Sequence, residues 1–555
     1  MNAERLLALY ERIADASDGV QRLRRFILDL AVRGKLVPQD PNDGSASAVM
    51  KGRHVPTCTR GPFDCPSSWV WVRVRNVAET RLGKMLDKAK NKGIPRPYLR
   101  NVNVRWFDFD LSDLLEMPFT DGELTEFELR CGDVLICEGG EPGRASVWDE
   151  RTCGIYFQKA IHRVRLIEDV NPYFFVKALR ASADDGRLAE YFTGTGIKHF
   201  TGKGLGTYLF PLPPLAEQHR IVAKVDELMA LCDQLEKARE QREAKRDRFT
   251  AATLARLNAP EPETFHEDAK LVLGALTALT TRPDQIKQLR QTILNLAVQG
   301  KLVQQKPTDE PISAALRKAV ERRTSLARRG RRKAGGSGDP LPSAELPSGW
   351  ALEVLGNLVD PENAISYGVL VPGDDVPGGI PFVRAQDLVL SSHPERPSKT
   401  ISPDVEKAYA RTRLRGGEIL LCVVGSIGKL GTVPEAWAGA NIARAVARIL
   451  PIQEISREYL LIALRSDQVQ SCFKEATRTL AQPTLNIGLI EQTTIPLPPL
   501  AEQRRIVAKV DELMLLCEQL EASLTNGDNT RVRLLDALLV EALAPVKDRE
   551  MQAAE

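Results

Sequence analysis

Three short motifs contain residue types that could support catalysis or cofactor binding. Gly139, Gly140 and Gly143 have the glycine spacing of a dinucleotide-binding loop, which would hold a pyrophosphate at the start of a helix. The residues that follow are ASVWD rather than a helical stretch, so the setting that this chemistry requires is missing.

Residues 425–429, GSIGK, resemble the end of a phosphate-binding loop. Val423 replaces the upstream glycine of that motif, and Leu430 stands where Ser or Thr would bind magnesium. Because both glycine motifs follow apolar stretches, the sequence predicts glycine-shaped turns after buried strands.

The third motif, NPYF at residues 171–174, resembles the N-P-P-[YF] loop with which amino-methyltransferases hold a flipped adenine. Its second proline is missing, and the corresponding residues 456–459 read SREY. A helix start explains both versions. No S-adenosylmethionine loop, nuclease carboxylate cluster, helicase motif or metal-ligand spacing accompanies them, so the sequence predicts no catalytic and no metal site.

All of these motifs lie in a duplicated chain. Residues 211–236 and 496–521 are nearly identical, at an offset of 285 in a chain of 555 residues. Upstream, LRRFILDLAVRGKLV at 23–37 matches LRQTILNLAVQGKLV at 289–303. The stretches around 80–128 and 361–413 share only a few matching positions. The sequence thus predicts one frame that carries two related but different modules.

Composition and charge narrow the class of protein. The net charge is +3, so overall charge neither requires nor excludes nucleic acid. The nine cysteines include no C-x-x-C pair, and Cys232 and Cys517 fall at apolar helical positions, which fits a reducing compartment. The first residues lack a signal-peptide core, and no apolar run is long enough to span a bilayer. We expect a cytoplasmic protein without membrane contact.

The near-identical segments predict long helices that begin at PLPPLAEQ. Proline before the first turn and Glu217 close behind it suit a helix start, and the first helix is expected to run to about Leu257. Apolar residues then recur at alternating steps of three and four, which favours helix–helix packing. We interpret the following residues as a helical frame and partner interface: Ile221, Val225, Leu228, Leu235, Ile506, Val510, Leu513 and Leu520.

The fold class that these patterns favour is mixed α/β. Two similar modules are expected, separated by two long antiparallel helices that form a coiled-coil spacer with pseudo-two-fold symmetry. The expected segments are a helical segment at 1–37, a linker at 38–66, the first module at 67–212, a central long-helix region at 213–303, a linker with a basic insertion at 304–346, the second module at 347–497 and a C-terminal long helix at 498–555.

In this order of segments, and in the repeated PLPPLAEQ helix above all, the chain resembles the specificity subunit of type I restriction–modification enzymes. The resemblance covers nearly the whole chain. It implies that each module is a target recognition domain for one half of an asymmetric, two-part site in double-stranded DNA. It also implies that the chemistry is done by partners: two methylation subunits and the restriction subunits. S-adenosylmethionine, ATP and Mg would be bound by those partners and no cofactor by this chain.

Given that resemblance, the side chains best suited to DNA are Arg, Lys, Asn and Gln in loops of the modules. In the first module the candidates are Arg100, Asn101, Asn103, Arg105, Lys198, His199 and Lys203. In the second they are Arg384, Gln386, Asp387, Arg478, Gln482 and Asn486. Arg100 and Arg384 follow an expected strand, where a structural ion pair is as reasonable as a base contact.

Two other classes of function stay open at this point. A non-catalytic coiled-coil scaffold would show no DNA selectivity even with partners, and a self-contained DNA methyltransferase would transfer methyl groups without them. An orphan or phase-variable specificity subunit has the same sequence pattern as an active one.

Overall fold

The computed structural model describes residues 18–58, 60–87, 91–149, 154–258, 267, 280–328, 346–477 and 484–543. The α-helices of these described residues are α1 (Gly19–Val32), α2 (Ala46–Gly52), α3 (Val74–Val77), α4 (Asp121–Phe127), α5 (Pro172–Asp184), α6 (Gly202–Thr207), α7 (Leu215–Asn258), α8 (Pro283–Val298), α9 (Ile312–Arg328), α10 (Pro403–Lys407), α11 (Arg457–Arg465), α12 (Asp467–Thr477), α13 (Ile487–Gln492) and α14 (Leu500–Leu543).

The strands are short and fall in two groups. The first group is β1 (Val70–Arg73), β2 (Ala78–Leu82), β3 (Ile94–Leu99), β4 (Val104–Arg105), β5 (Asp108–Phe109), β6 (Leu115–Phe119), β7 (Val134–Cys137), β8 (Ala145–Val147), β9 (Tyr156–Phe157), β10 (Ile161–Leu166) and β11 (Leu209–Leu212). The second group is β12 (Ala351–Val354), β13 (Ser366–Tyr367), β14 (Ile380–Val383), β15 (Lys399–Ile401), β16 (Ile419–Cys422), β17 (Leu430–Thr432), β18 (Asn441–Ile442), β19 (Val446–Ile449) and β20 (Thr494–Leu497).

The chain divides into two compact units. Unit 1 contains residues 1–242 and 528–555, and unit 2 contains residues 243–527. Helix α7 therefore begins in unit 1 and ends in unit 2, whereas α14 begins in unit 2 and ends in unit 1. The predicted fold class is confirmed: the chain is mixed α/β, with two modules and two long helices that each have residues in both units.

In unit 1 the module is built on three main sheets. Strand β1 pairs with β11, so the two ends of the module are joined. A four-stranded sheet has the order β2-β10-β7-β8, and a three-stranded sheet has the order β6-β3-β9, in which β3 and β9 are parallel. Apolar residues of β1, β7, α1, α5 and the start of α7 form the main core.

In unit 2 the same arrangement is repeated. Strand β12 pairs with β20, the four-stranded sheet has the order β13-β19-β16-β17, and the three-stranded sheet has the order β15-β14-β18. The registers agree as well, since Arg163 faces Arg81 in unit 1 and Arg448 faces Ser366 in unit 2, an offset of 285 at both positions. The two modules are structural repeats despite their divergent sequences.

In each unit, three of the near-identical segments contact one another: the GKLV segment, the stretch around the first tryptophan of the module and the start of the long helix. In unit 1 the Trp69 indole Nε1 donates to Glu217 Oε2 at 2.9 Å, and a Cβ on Gly34 would lie 2.5 Å from the ring of Pro66. Gly34 has a φ of +66°, which glycine adopts without strain. The GKLV segment, the tryptophan that opens the module and the long helix are thus held together.

The equivalent contacts are present in unit 2. Trp350 Nε1 donates to Glu502 Oε2 at 3.2 Å, and a Cβ on Gly300 would lie 2.6 Å from Pro347. Burial and close contact at these positions account for the similarity of the repeated segments, because a changed side chain would have no room.

The glutamine of each PLPPLAEQ motif anchors the module to the long helix. Gln218 is fully buried, accepts from the Asn171 backbone N–H at 2.7 Å and donates to the carbonyls of Asp169 and Pro213 at 2.9 Å. Its counterpart Gln503 accepts from the Ser456 N–H at 2.7 Å. Asn171 also caps α5, so the NPYF motif is a helix start, as predicted.

Two sequence predictions about segments need adjustment. The linker at 38–66 contains α2, because Ala46 and Met50 lie on one helical face and are buried in the core of unit 1. The basic insertion between 329 and 345 and the first 17 residues lie outside the described residues. Among the helices that are described, none is both long and apolar enough to cross a membrane.

Candidate nucleic-acid interface

Three loops of the first module meet at one edge of its sheets. Asn101, in the turn after β3, donates from Nδ2 to the Gly139 carbonyl at 3.4 Å. A Cβ on Gly139 would lie 3.3 Å from the His199 ring. The name first loop cluster is used for residues 100–105, 138–144 and 193–203.

An arginine fixes the arrangement of this cluster. Arg144 Nη2 donates to the Asn101 carbonyl at 2.7 Å, and Nη1 bonds Glu141 Oε2 at 2.8 Å. The Trp106 indole donates to the other oxygen of Glu141 at 3.0 Å. Because one guanidinium bridges two loops, the side chain of Asn101 is presented on a supported backbone.

The glycines shape the loop in the way that the sequence predicted. Gly140 and Gly143 have φ values of +81° and +89°, and Gly425 and Gly428 have +79° and +86°. A Cβ on Gly140 would lie 2.8 Å from Asn101 Nδ2. The glycine motifs are turns after the buried strands β7 and β16, and close approach to Asn101 requires one of them.

Two of the predicted first-module residues are occupied by structural contacts. Asn103 is 2% exposed; its Oδ1 accepts from the Arg100 N–H at 2.9 Å, and its Nδ2 donates to the carbonyls of Asp110 and Asp113 at 3.0 Å. Arg100 Nη2 bonds Asp113 Oδ2 at 2.7 Å. A saturated, buried amide has no group left for a base, so the prediction of a DNA contact for Asn103 is corrected to a turn-stabilising role.

The remaining first-module candidates are accessible. Lys198, His199 and Lys203 are exposed, and Lys198 lies at the tip of a hairpin closed by reciprocal backbone bonds of 2.9 Å between Thr193 and His199. Within the described part of the chain, neither lysine has a carboxylate partner. Arg105 is exposed and has one long ion pair with Asp110, at 3.4 Å.

The second module presents an equivalent edge. Lys429 stands at the position of Arg144, and its Nζ donates to the carbonyls of Ala385 and Gln386 at 3.2 and 3.3 Å. Val424 forms a β-bridge with Thr484. The name second loop cluster is used for residues 384–387, 423–429 and 484–486.

The predicted second-module residues divide in the same way. Arg384 bonds both carboxylate oxygens of Asp387, at 2.9 and 3.0 Å, and this ion pair raises the pKa of Arg384. Asp387 Oδ2 also accepts from the Arg384 N–H at 2.9 Å, as Asn103 does for Arg100. Both side chains therefore hold the turn, and the structural ion pair expected as one alternative for Arg384 is present; a base contact by either residue stays a prediction.

Other candidates in this module differ in access. Gln386 is exposed at the crest of the turn. Asn486 caps α13 by accepting from the Leu489 N–H at 2.9 Å, so its oxygen has a structural task. Arg478 and Gln482 lie outside the described residues.

The predicted frame residues lie largely inside the units. Ile221 and Val225 are buried in the core of unit 1, and Ile506 and Val510 in that of unit 2. Half-buried side chains at the other four positions complete the set: Leu228, Leu235, Leu513 and Leu520. The four buried residues are not an accessible partner surface, because they lie in apolar cores shared with residues of α1 in unit 1 and of α8 in unit 2.

Sequence reasoning missed Arg144 and Lys429, although the matched segments LRCGDVLICEGGEPGR and LRGGEILLCVVGSIGK place a basic residue at the end of both. Within the described ranges, no group of three or more His, Cys, Asp or Glu residues could hold a metal ion.

The family model described as Type I restriction modification DNA specificity domain matches residues 66–246 and 374–526. These matches include most of both modules and the first part of both long helices, and together they cover more than half of the chain. The chain belongs to this family.

Known members of the family are similar over nearly their whole length. The Type I restriction enzyme EcoEI specificity subunit of Escherichia coli is 26% identical over 95% of this chain and 94% of its own. The EcoAI specificity subunit of the same organism is 25% identical over the same shares. A chain in a solved structure of a type I R-M system superposes with a TM-score of 0.50 at 21% identity, over 87% of this chain and 99% of that one, which shows a shared fold.

Proposed function

We propose that this chain is the DNA-recognition subunit of a type I restriction–modification system. Each module would read one half of a two-part site, and the helical spacer would fix the gap between the halves. The observation that carries the proposal is that one fold, repeated in the same strand register, presents two loop clusters with different exposed side chains.

Four accessible side chains of the clusters suit DNA recognition, of which Asn101 is half-buried and Gln386, Lys198 and Lys203 are exposed. Asn101 and Gln386 carry amides, which can bond adenine through one donor and one acceptor in the major groove. Lys198 and Lys203 carry charges without carboxylate partners in the described structure, which suits phosphate contacts that fix orientation. Because the two clusters differ, the two half-sites are expected to differ, and the target is asymmetric.

The spacer has the length that such a role requires. Helices α7 and α14 each contain 44 residues. At 1.5 Å per residue, a helix of this size is about 65 Å long, which is more than one helical turn of DNA.

Catalysis would be supplied by partners. Two methylation subunits would transfer methyl groups from S-adenosylmethionine to adenine, and restriction subunits would use ATP and Mg to cleave unmodified DNA in the cytoplasm. The long helices offer exposed apolar residues at which methylation subunits could dock, namely Leu231, Leu515 and Leu516.

The test is to co-express the chain with its methylation subunit and to map methylated adenines across the host genome by single-molecule sequencing. The expected result is an asymmetric motif in two parts with a fixed gap, which disappears when this chain is omitted. Exchange of residues 67–210 for the module of a relative should change one half of the motif and leave the other half and the gap intact.

A stable complex that produces no new methylated motif would contradict the proposal and favour a scaffold. Methyl transfer by the purified chain alone would instead assign the chemistry to this chain.

A further inference from the structure

The second module contains a basic cleft beside the second loop cluster. Its volume is about 1130 Å³, and Val424 and Thr484 of that cluster are among its lining residues. Four arginines line it: Arg411, Arg415, Arg444 and Arg448. Among the described residues of its wall, Glu362 is the one carboxylate.

The first module has ion pairs at the corresponding place. Arg81 on β2 forms an ion pair with Glu126, and its guanidinium lies 5.1 Å from the centre of the Phe127 ring. Beside it, Arg163 Nη2 bonds Glu79 Oε1 at 3.0 Å. Each of these two arginines is neutralised by a carboxylate of its own module.

In the second module these carboxylates are missing at the positions 285 residues later. Ser366 stands in place of Arg81, Arg411 in place of Glu126 and Ala364 in place of Glu79. Ser366 faces Arg448 as Arg81 faces Arg163, so the strand register fixes the first of these correspondences. The other two follow from the same offset of 285 along the sequence. The ion pair of Arg81 with Glu126 is thus replaced by Ser366 and Arg411. Arg448 keeps the arginine of the second pair, but Ala364 replaces its glutamate.

The lining of the cleft therefore has an excess of positive charge, although the carboxylates of Glu418 and Asp360 lie near enough to act on Arg448. Arg448 is 3% exposed, its Nη1 donates to the Arg413 carbonyl at 3.0 Å, and its Nε has no hydrogen-bond partner. Ser366 Oγ also lacks a partner. Arg411, Arg415 and Arg444 form no ion pair with any described residue. These three side chains are exposed, so their charges are available to a ligand in the cleft. Arg448 is the buried one of the four, and a buried cationic donor without an acceptor destabilises a fold unless an anion satisfies it.

We propose that this cleft binds a phosphate group, whereas at the corresponding place of the first module Arg81 and Arg163 are engaged by Glu126 and Glu79 instead. Guanidinium groups bind phosphate oxygens in pairs, and several converge on the same space here. Because the cleft adjoins the second loop cluster, a phosphodiester of DNA beside the second half-site is one source of the group, and this part of the inference rests on the proposed function. A small free phosphate compound is the other source.

The main test is a double variant that introduces the ion pair of the first module into the second module. Ser366→Arg combined with Arg411→Glu places an arginine and a glutamate where Arg81 and Glu126 coexist in the same fold, so the module should remain folded. Arg411→Lys, which keeps the charge, is the matched control. Each form is studied as full chain in complex with its methylation subunit, and assembly and melting temperature report folding.

Two probes distinguish the sources of phosphate. The first is duplex DNA that carries the mapped site, titrated between 50 and 200 mM salt. The second is inorganic tripolyphosphate, titrated without DNA. For a DNA phosphate we expect the double variant to bind DNA about tenfold more weakly, with the slope of log K against log salt reduced by about 1 and the methylated motif unchanged.

A tripolyphosphate affinity that is lost in the double variant, with DNA binding unchanged, would assign the cleft to a free phosphate compound. Wild-type behaviour of the double variant with both probes would overturn the inference. Failure of the proposed function is recognised separately, since the wild-type complex would then select no DNA site whatever the cleft binds.

Discussion

At the scale of single residues, burial decides which of several similar side chains can meet a ligand. Asn101 and Asn103 are two positions apart in one turn. The amide of Asn103 is buried and saturated by three bonds, whereas Asn101 makes one long bond of 3.4 Å. Arg384 and Asp387 satisfy each other in the same way. The residue types alone could not separate these roles.

This difference can be tested with the two asparagines. Asn103→Ala removes an acceptor for the Arg100 N–H and a donor for two carbonyls, and it should lower the free energy of unfolding by about 2–4 kcal/mol. Asn101→Ala should leave it within about 0.5 kcal/mol and instead weaken recognition of the first half-site. Urea unfolding followed by tryptophan fluorescence, together with binding to the mapped DNA site, measures both effects. Equal stability of the two variants would contradict the assignment.

Glu217 gives a prediction about pH. Burial raises its pKa above the ordinary value of 4.5, against hydrogen bonds from Trp69 and Gln39 that lower it. The folded state therefore binds the proton more tightly than the unfolded state, so the charged form costs stability increasingly as the pH rises through the interval above 4.5. Glu217→Gln, which keeps an acceptor for the Trp69 indole, should gain stability relative to the wild type between about pH 4 and about pH 7.

Asp43 provides a control of opposite sign. Its hydrogen bond with Arg220 lowers its pKa below 3.8, so its contribution is present above that pH and is lost as the pH falls through the folded pKa. Asp43→Asn should be less stable than the wild type at neutral pH, and the difference should shrink in acid. Thermal melting across this pH range compares the two variants, and parallel curves would refute both assignments.

At the scale of elements, a basic residue after the β7 and β16 turns supports the turn after β3 in the first module and the turn after β14 in the second. Arg144 reaches the Asn101 carbonyl, and Lys429 reaches the carbonyls of Ala385 and Gln386. Both residues follow a glycine of positive φ, which directs the chain back along the sheet. The hairpin and the turn are thus joined by these hydrogen bonds rather than being two independent loops.

We therefore expect Arg144→Met to loosen the turn at residues 100–105 and to weaken binding to the mapped site roughly tenfold, since a charge-assisted hydrogen bond contributes about 1.5–3 kcal/mol. Lys429→Met should do the same for residues 384–387. Hydrogen exchange measured by mass spectrometry should become faster in the module that carries the substitution and stay unchanged in the other module. Uniform exchange in both modules would argue against local support.

At the scale of the whole molecule, the long helices belong to both units, and their length should set the gap in the DNA site. Inserting one heptad after Arg242 in α7 and one after Gly527 in α14 keeps the apolar faces in register. Each insertion adds about 10 Å, which corresponds to about three base pairs. Both halves of the methylated motif should stay the same, and the gap between them should lengthen by about three base pairs.

Insertion in one helix alone is the control, because it shifts the two helices against each other and should abolish methylation. An unchanged gap after the paired insertion would show that the helices do not measure the distance.

The exposed face of the long helices should decide partner number. Leu231 is 43% exposed and its repeat counterpart Leu516 is 48% exposed, while Cys232 and Cys517 beside them are buried. Leu231→Asp and Leu516→Asp should each remove one methylation subunit, and the double variant should remove both. Native mass spectrometry gives the stoichiometry, with Gln234→Asp on the same helix as control. Retention of two subunits by the double variant would place the docking surface elsewhere.

The duplication, the long helices and the α/β modules follow from the sequence alone. Apolar periodicity and repeated motifs report local structure, and positions such as Gly34, Trp69 and Gln218 are equal in both halves because they meet in the same buried contacts. Because the same buried contacts require the same residues in both halves, the repeated sequence was enough to predict the helical frame.

Which polar side chains of the loop clusters are accessible, and where the basic cleft forms, were decided only by the tertiary structure. Whether an asparagine is saturated, or an arginine has an acid within reach, depends on residues distant in the chain, as with Arg163 and Glu79 in one module and Arg448 and Ala364 in the other. Pairing and desolvation are properties of contacts, and contacts between distant residues are set by strand register and packing.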